Sequence, residues 1–282
     1  MLEIETYDDV QRLHFSTWRS RAAGYSVSAY VVRNTVIDAA FDDVGDAFLA
    51  WIAANRPVGV IVTHAHDDHG GNAERLARAA VPMQMQPDTA AFLGTSHRRG
   101  WHRHWAWGGM PVLRSPWTSF ESPGLELVAA RGHSPDHHVV WDAERETLFA
   151  ADLYLSVKVK VAHPVHREDI RQQISSIRRV LALKPKRVFD AHRGLLKDGA
   201  NLLAAKANWI EETVGRMDGL IAQGWSDRAI AAEVLGRETL FTYVTMATGR
   251  AGTSSRACGV RTQSGSERTT RSPFETPARA GP

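Results

Sequence analysis

A layered α/β fold is what the chain predicts, on three observations. Apolar, largely β-branched runs recur at strand length, the most apolar being Val58-Gly59-Val60-Ile61-Val62. Other stretches place apolar residues at helical spacing. The two kinds of segment alternate along most of the chain, the pattern of a sheet that buries its faces against helices.

Taken in order, residues 27–33 and 35–38 read as two strands with Asn34 at the turn. A helix follows with Val44, Phe48, Leu49 and Ile52 on its apolar face, then the buried strand 58–62. Asn72 to Ala80 is expected to be helical, with Leu76 facing inward. Residues 95–120 contain Trp101, Trp105, Trp107 and Trp117 together with His97, His102 and His104, and show no clean period. Such a segment reads either as an aromatic lid over a cleft or as a cluster packed on the fold or on another copy. Its histidines interleave with Arg98, Arg99 and Arg103 and are read as surface residues. Residues 125–130, 138–141 and 147–151 are three more strands. Glu168 to Leu183 is an amphipathic helix with Ile170, Ile174, Ile177 and Leu181 on one side. Pro185 stops it before strand 187–191. Two helices, 199–221 and 227–235, close the ordered part, the last with Ser226 as N-cap and Gly236 after its final turn. From about Ala251 the chain becomes rich in Ser, Thr, Gly and Arg and loses apolar periodicity. The expected organisation is one domain over 1–248, with a helical extension from about 199, and a disordered Ser/Arg-rich tail over 249–282.

The chemistry concentrates in Thr63-His64-Ala65-His66-Asp67-Asp68-His69-Gly70, directly after the buried strand 58–62. Buried without partners, so many imidazoles and carboxylates would be costly. As ligands for a borderline divalent cation they make sense. In extended chain His64 and His66 project to the same side and can share one ion. Gly70-Gly71 then supplies a permissive backbone for a turn that carries Asp68 and His69 towards a second ion.

His64-Ala65-His66-Asp67-Asp68-His69 resembles the His-x-His-x-Asp-His signature of the metallo-β-lactamase-fold hydrolases, a group that includes hydroxyacylglutathione hydrolases and lactonases. Gly132-His133-Ser134-Pro135, Ala150-Ala151-Asp152 and Asp190-Ala191-His192-Arg193-Gly194 stand in the order of that family's remaining ligand segments. One departure is Pro135-Asp136-His137, where the family usually has Pro-Gly-His. The resemblance implies a four-layer αβ/βα sandwich with additional C-terminal helices. It also implies two divalent metal ions, with zinc expected and iron or manganese as alternatives. His64, His66 and His133 would hold the first ion, Asp68, His69 and His192 the second, and Asp152 would bridge. Asp38, which ends a strand where the family usually has Asp, reads equally as a helix cap or as a support beside the metals. His137 is expected beside the ligands, His138 as a structural histidine, and Tyr154 as a packing or pocket residue.

On this reading the chain is a metal-dependent hydrolase of a small thioester, lactone or related ester. A hydroxide shared by the ions would attack the acyl carbon, and Asp68 would steer the water or carry a proton to the leaving group. The alternatives are a mononuclear iron, sulfur-dioxygenase-like oxidoreductase, which needs only two His and one Asp, and a non-catalytic binding protein on the same fold. The Gly-rich segment usual after the bridging Asp in glutathione-dependent members is replaced by Leu155-Ser156-Val157-Lys158-Val159-Lys160, which argues against a glutathione substrate. Lys158, Lys160 and Arg193 read as anion contacts or as solvated charges.

Composition narrows the partners. The formal charge of +3 lies wholly in residues 251–282, where five arginines face two glutamates, so the rest of the chain is neutral. A neutral core without a basic stripe argues against nucleic acid. No span-length apolar run and no leader-like N-terminus are visible, so a cytoplasmic address with a small-molecule substrate is expected. The single cysteine, Cys258, excludes an internal disulfide and lies away from the motifs.

Overall fold

A computed structural model describes residues 1–96, 101–158 and 168–236. The strands are β1 (Leu2–Tyr7), β2 (Val10–Phe15), β3 (Val27–Val32), β4 (Thr35–Ile37), β5 (Gly59–Ile61), β6 (Met83–Gln84), β7 (Glu126–Ala129), β8 (His138–Asp142), β9 (Thr147–Phe149), β10 (Arg187–Asp190) and β11 (Gly194–Leu195). The helices are α1 (Trp18–Ala22), α2 (Gly45–Asn55), α3 (Ala73–Arg78), α4 (Pro87–Leu93), α5 (Trp101–Trp107), α6 (Ile170–Ala182), α7 (Gly199–Ala222) and α8 (Asp227–Leu235). The expected domain limit near 248, the tail and Cys258 lie outside the described residues.

Two sheets form. One runs β1-β2-β3-β4-β5-β6 and the other β11-β10-β9-β8-β7. In the first, β1 to β4 are antiparallel and β4, β5 and β6 parallel; in the second only β9 and β10 are parallel. Side-chain alternation explains the layering, because neighbouring strand residues point to opposite faces. Val36, Val60 and Val62 pack with Phe48, Ile52 and Leu76 of α2 and α3. Their neighbours Ile37 and Ile61 meet Val140, Phe149 and Phe189 of the other sheet. Val139, Leu148 and Val188 in turn face Ile177, Val180, Leu203 and Ile210 of α6 and α7. Three apolar layers therefore separate four structural ones, helix–sheet–sheet–helix. Such near-continuous apolar strands are what burial on both faces requires.

Most expected elements are present, with ends shifted by a residue or two. The β3–β4 hairpin turns at Arg33 and Asn34, both at positive φ (50° and 56°), as a tight two-residue hairpin demands. Ser226 caps α8 by accepting from Ala229 N–H. Not anticipated were the β1–β2 hairpin, the two-residue strands β6 and β11, and helices α1, α4 and α5. The 95–120 segment, expected to lack regular structure, contains α5. No described helix is long and apolar enough to cross a membrane.

Backbone and side-chain bonds lace the sheets together at one edge. His138 N–H donates to Thr63 O across 3.1 Å, and Ser28 N–H to Ala191 O across 2.7 Å. The Tyr30 hydroxyl reaches Asp190 O at 2.5 Å. From α7 a fully buried Lys206 donates its ammonium to Leu153 O and Tyr154 O at 2.7 and 2.8 Å. Burial lowers its pKa to about 8, against the opposing pull of Glu168, Asp190 and Asp152. Lys206→Met, which leaves both carbonyls without that donor, is expected to cost about 1–3 kcal/mol in chemical denaturation. The folded chain holds this proton less tightly than the unfolded chain does. Wild-type stability relative to the variant should therefore rise as pH climbs from about 8 towards the free-lysine value near 10.4. A flat difference across that window would contradict the assignment.

Candidate metal centre

All seven residues singled out as ligands meet at the laced edge, in two groups that share Asp152. His64, His66, His133 and Asp152 form one; Asp68, His69, Asp152 and His192 form the other. In each group the candidate ligand atoms lie within 4.8 Å of one another. Four loops deliver them, following β5, β7, β9 and β10. The turn after β5 needs its glycines for close approach rather than for conformational freedom. A Cβ at Gly71 would sit 2.3 Å from Asp67 O and 2.8 Å from Ala40 O, and neither Gly70 nor Gly71 has positive φ.

Hydrogen bonds on the outer ring nitrogens set which nitrogen faces inward. His69 Nδ1 donates to Asp38 Oδ2 at 2.7 Å, and His192 Nδ1 to Ser26 O at 2.6 Å. Thr63 Oγ1 donates to Asp38 Oδ1 at 2.8 Å and lies 3.0 Å from His64 Nδ1. Inward, His64 Nε2 and His133 Nε2 are each 3.0 Å from His66 Nδ1. Asp152 divides its oxygens: Oδ2 is 3.1 Å from His133 Nε2, while Oδ1 is 3.0 Å from His69 Nε2 and 3.1 Å from His192 Nε2. His69 Nε2 is buried and has no hydrogen bond of acceptable direction.

These features test whether the residues suit metal ions. Three ring nitrogens converging at 3.0 Å, and a buried nitrogen left without a directed partner, are poorly explained as a hydrogen-bond network. The donor set, imidazole nitrogen with carboxylate oxygen, is the one divalent zinc prefers. The residues fit. Burial and the neighbouring His69 and His66 hold His64 neutral, with its pKa well below the usual value. For His69 and His192 burial acts in the same direction and is the largest single cause, but the surrounding carboxylates together, Asp152 foremost, outweigh it. His69 is raised well above the usual value, and His192 to about 9. Burial would raise Asp152, and the facing His69, His192 and His133 instead hold it well below the carboxylate range.

A ring of supports surrounds the seven. Asp38 also accepts from Thr63 N–H at 2.9 Å; it supports the ligands and caps no helix. His137 is buried between Ala130 O, to which Nδ1 donates, and Asp152 N–H, which donates to Nε2 at 3.2 Å. His138 Nδ1 donates to Asp136 O, a structural bond. Tyr154 packs in the core beneath β9. Three supports were not anticipated. Asp136, at the position that departs from Pro-Gly-His, accepts from Ala65 N–H at 2.8 Å and from Ser134 Oγ at 2.7 Å, tying two ligand loops together. Asp190 accepts from His192 N–H, Arg193 N–H and Leu155 N–H. Arg103 of α5 pairs with Asp67 and Asp68. Asp136, as a departure from the family wording, and Asp190, two residues before His192, lay within the motif segments; Arg103 is remote in the chain from Asp67 and Asp68.

The remaining expectations divide. His104 is exposed, whereas His102 is half-buried with Nδ1 enclosed and unpaired, so it is not a surface residue. Arg193 Nε donates to Leu155 O, and Lys158 is exposed. His97, Arg98, Arg99 and Lys160 lie outside the described residues.

Comparison with known proteins agrees with this geometry. The sequence model of the metallo-beta-lactamase superfamily matches residues 22–192. A probable metallo-hydrolase of Bacillus subtilis, YybB, is 25% identical over 163 residues, which is 56% of this chain and 74% of that protein. A beta-lactamase-like protein 2 homolog of Caenorhabditis elegans is 24% identical over 134 residues, 47% of this chain and 41% of that protein. Among solved structures, DIM-1 metallo-beta-lactamase exposed to ceftazidime has a TM-score of 0.57 at 18% identity, covering 75% of this chain and 97% of the other. A metallo-beta-lactamase from Pontibacter korlensis has a TM-score of 0.56 at 21% identity, covering 75% and 99%. At such identities the structural likeness speaks for the fold alone. The family match spans more than half of the chain and takes in every clustered residue from His64 to His192: the chain belongs to the metallo-beta-lactamase superfamily.

Proposed function

We propose that the protein is a dinuclear, zinc-dependent hydrolase of a small thioester, lactone or related ester. The observation that carries this reading is the division of Asp152, one carboxylate oxygen to each of two histidine-rich groups. A structural zinc site closes around four ligands and has no use for a second, adjoining set. Two cations bound here would supply an acidified water as nucleophile and polarise the acyl carbonyl.

The chain's own contributions follow from the geometry. His64 Nε2, His66 Nδ1, His133 Nε2 and Asp152 Oδ2 would hold one ion. Asp68, His69 Nε2, His192 Nε2 and Asp152 Oδ1 would hold the other. Asp38, Ser26 O and Thr63 keep the outward nitrogens occupied, so the inward lone pairs stay aimed. Asp68 presents Oδ2 towards His192 and His69 at 3.8 and 4.0 Å. Left unsaturated by metal, that oxygen would be the one placed to take a proton from the attacking water and return it to the leaving atom. A mononuclear iron oxygenase would need only two histidines and one carboxylate. The complete second group argues against it, and a non-catalytic relative would be expected to have lost ligands.

Protein prepared without added metal should carry two zinc ions per chain by mass spectrometry. His69→Ala or His192→Ala should reduce this towards one and lower kcat on the best ester or thioester of a panel about 100-fold or more. One iron per chain, unchanged by either substitution, would sink the dinuclear reading. Chelation should abolish hydrolysis and zinc should restore it, while Asp152→Asn should lose both ions together. Hydrolysis that survives complete chelation would contradict the metal-dependent mechanism.

A further inference from the structure

Helix α5 presents two opposed sets of side chains. Ala106 and Trp107 are buried, with Trp107 4.5 Å from Phe41 and 5.6 Å from Tyr25 between ring centres. Trp101 and Trp105 are 58% and 38% exposed, and Trp105 meets exposed Trp18 edge to face. Arg103 shares the inward side, three and four residues before Ala106 and Trp107. The exposed tryptophans, two residues to either side of Arg103, fall on the opposite side of the helix. What α5 delivers to the ligand loop is a charge.

That charge grips both carboxylates of the ligand loop. Arg103 Nε donates to Asp67 Oδ1 and Oδ2 at 3.0 and 3.2 Å, and Nη2 donates to Asp67 Oδ1 and, at 3.1 Å, to Asp68 Oδ1. The carboxylates are nearly sealed from water, with side-chain exposures of 1% for Asp67 and 5% for Asp68. Two adjacent buried anions repel unless a cation lies between them, and the planar guanidinium fork serves both at once in a fixed geometry. Asp68 is thus held by Oδ1 while its Oδ2 faces the His69–His192 group.

We propose that Arg103 is a positioning residue that aims Asp68 into the second metal group, so that occupancy of that group, and not of the first, depends on α5 being docked. The proposal rests on the two-metal reading above. Asp67 acts as the anchor: it belongs to neither ligand group and fixes the guanidinium from which Asp68 is held. Loss of the fork removes the hold on Asp68 Oδ1 and the cation that lies between Asp68 and Asp67. Groups that orient a ligand in this way typically contribute 10–100-fold to metal affinity.

The test is stepwise metal binding by wild-type protein and Arg103→Met, using buffered zinc for affinity and the absorption of bound cobalt to report geometry at each site. The expected result is an unchanged first binding step and a second step weakened about 10–100-fold, with an altered cobalt spectrum only for the second ion. In an Asp68→Asn background, Arg103→Met should weaken the second step no further, because both changes act through one carboxylate. If the methionine variant fails to fold, Arg103→Lys, which keeps the charge but lacks the fork, should show the same selective weakening. Two ions in wild type with an unchanged second step in the variants would overturn the proposal alone. So would equal weakening of both steps, or additive losses in the double variant, since each indicates a merely structural arginine. Wild-type protein that takes up only one ion would overturn the two-metal reading, and the proposal with it.

Discussion

Everything at the functional edge depends on one carboxylate shared between two sets of imidazoles. Asp152 is buried, faces three histidine nitrogens at 3.0 to 3.1 Å, and supplies one oxygen to each group. Such a residue is tolerable in a dry interior only where opposite charge surrounds it. Its backbone is fixed as firmly as its side chain. Ala151 before it takes positive φ (45°), its own N–H is bonded to His137, and the carbonyls of the next two residues are held by Lys206. The strain at Ala151 persists because the surroundings over-determine it.

The other loops are pinned by a different device, a buried carboxylate that accepts backbone N–H groups. Asp38 fixes the start of the ligand loop at Thr63, Asp136 ties Ala65 to the loop that carries His133, and Asp190 holds His192. Of these, the Asp136–Ala65 bond crosses between the sheets, beside the His138–Thr63, Ser28–Ala191 and Tyr30–Asp190 bonds, so the two sheets cannot shift relative to one another without breaking it. The candidate ligand atoms are therefore organised by the fold itself. A centre built this way loses little free energy in reorganisation when an ion or substrate arrives.

The fold and the cluster of candidate ligands were legible because both leave local traces. Strand–helix alternation is a short-range pattern, and His64, His66, Asp68 and His69 fall within one turn of chain. His133, Asp152 and His192 were found through their order after that turn and the residues flanking them. Among the supports, Asp38 was read equally as a helix cap and as a support, and His137 was expected beside the ligands; Arg103, Asp136 and Lys206 were not legible. Arg103 meets Asp67 from 36 residues away, and Asp136 meets Ala65 from 71. No period in the sequence announces such pairs. Lys206 sits within a helix whose pattern gives no reason to bury a lysine, and its partners are backbone carbonyls. The β1–β2 hairpin escaped for another reason: Leu2, Ile4 and Thr6 do alternate with polar residues, but the outer strand is largely exposed, so its apolar signal is weak.

Charge is the thread that joins site and scaffold. The carboxylates Asp38, Asp67, Asp68 and Asp152 converge on a small buried volume, balanced by histidines and by one arginine from α5. The measurement that tests the central claim most directly is anomalous diffraction from zinc-soaked crystals. Two peaks are predicted, one beside each oxygen of Asp152, with His66 and His133 around the first and His69 and His192 around the second. A single peak enclosed by four of these residues, or zinc bound elsewhere with this edge empty, would contradict the account.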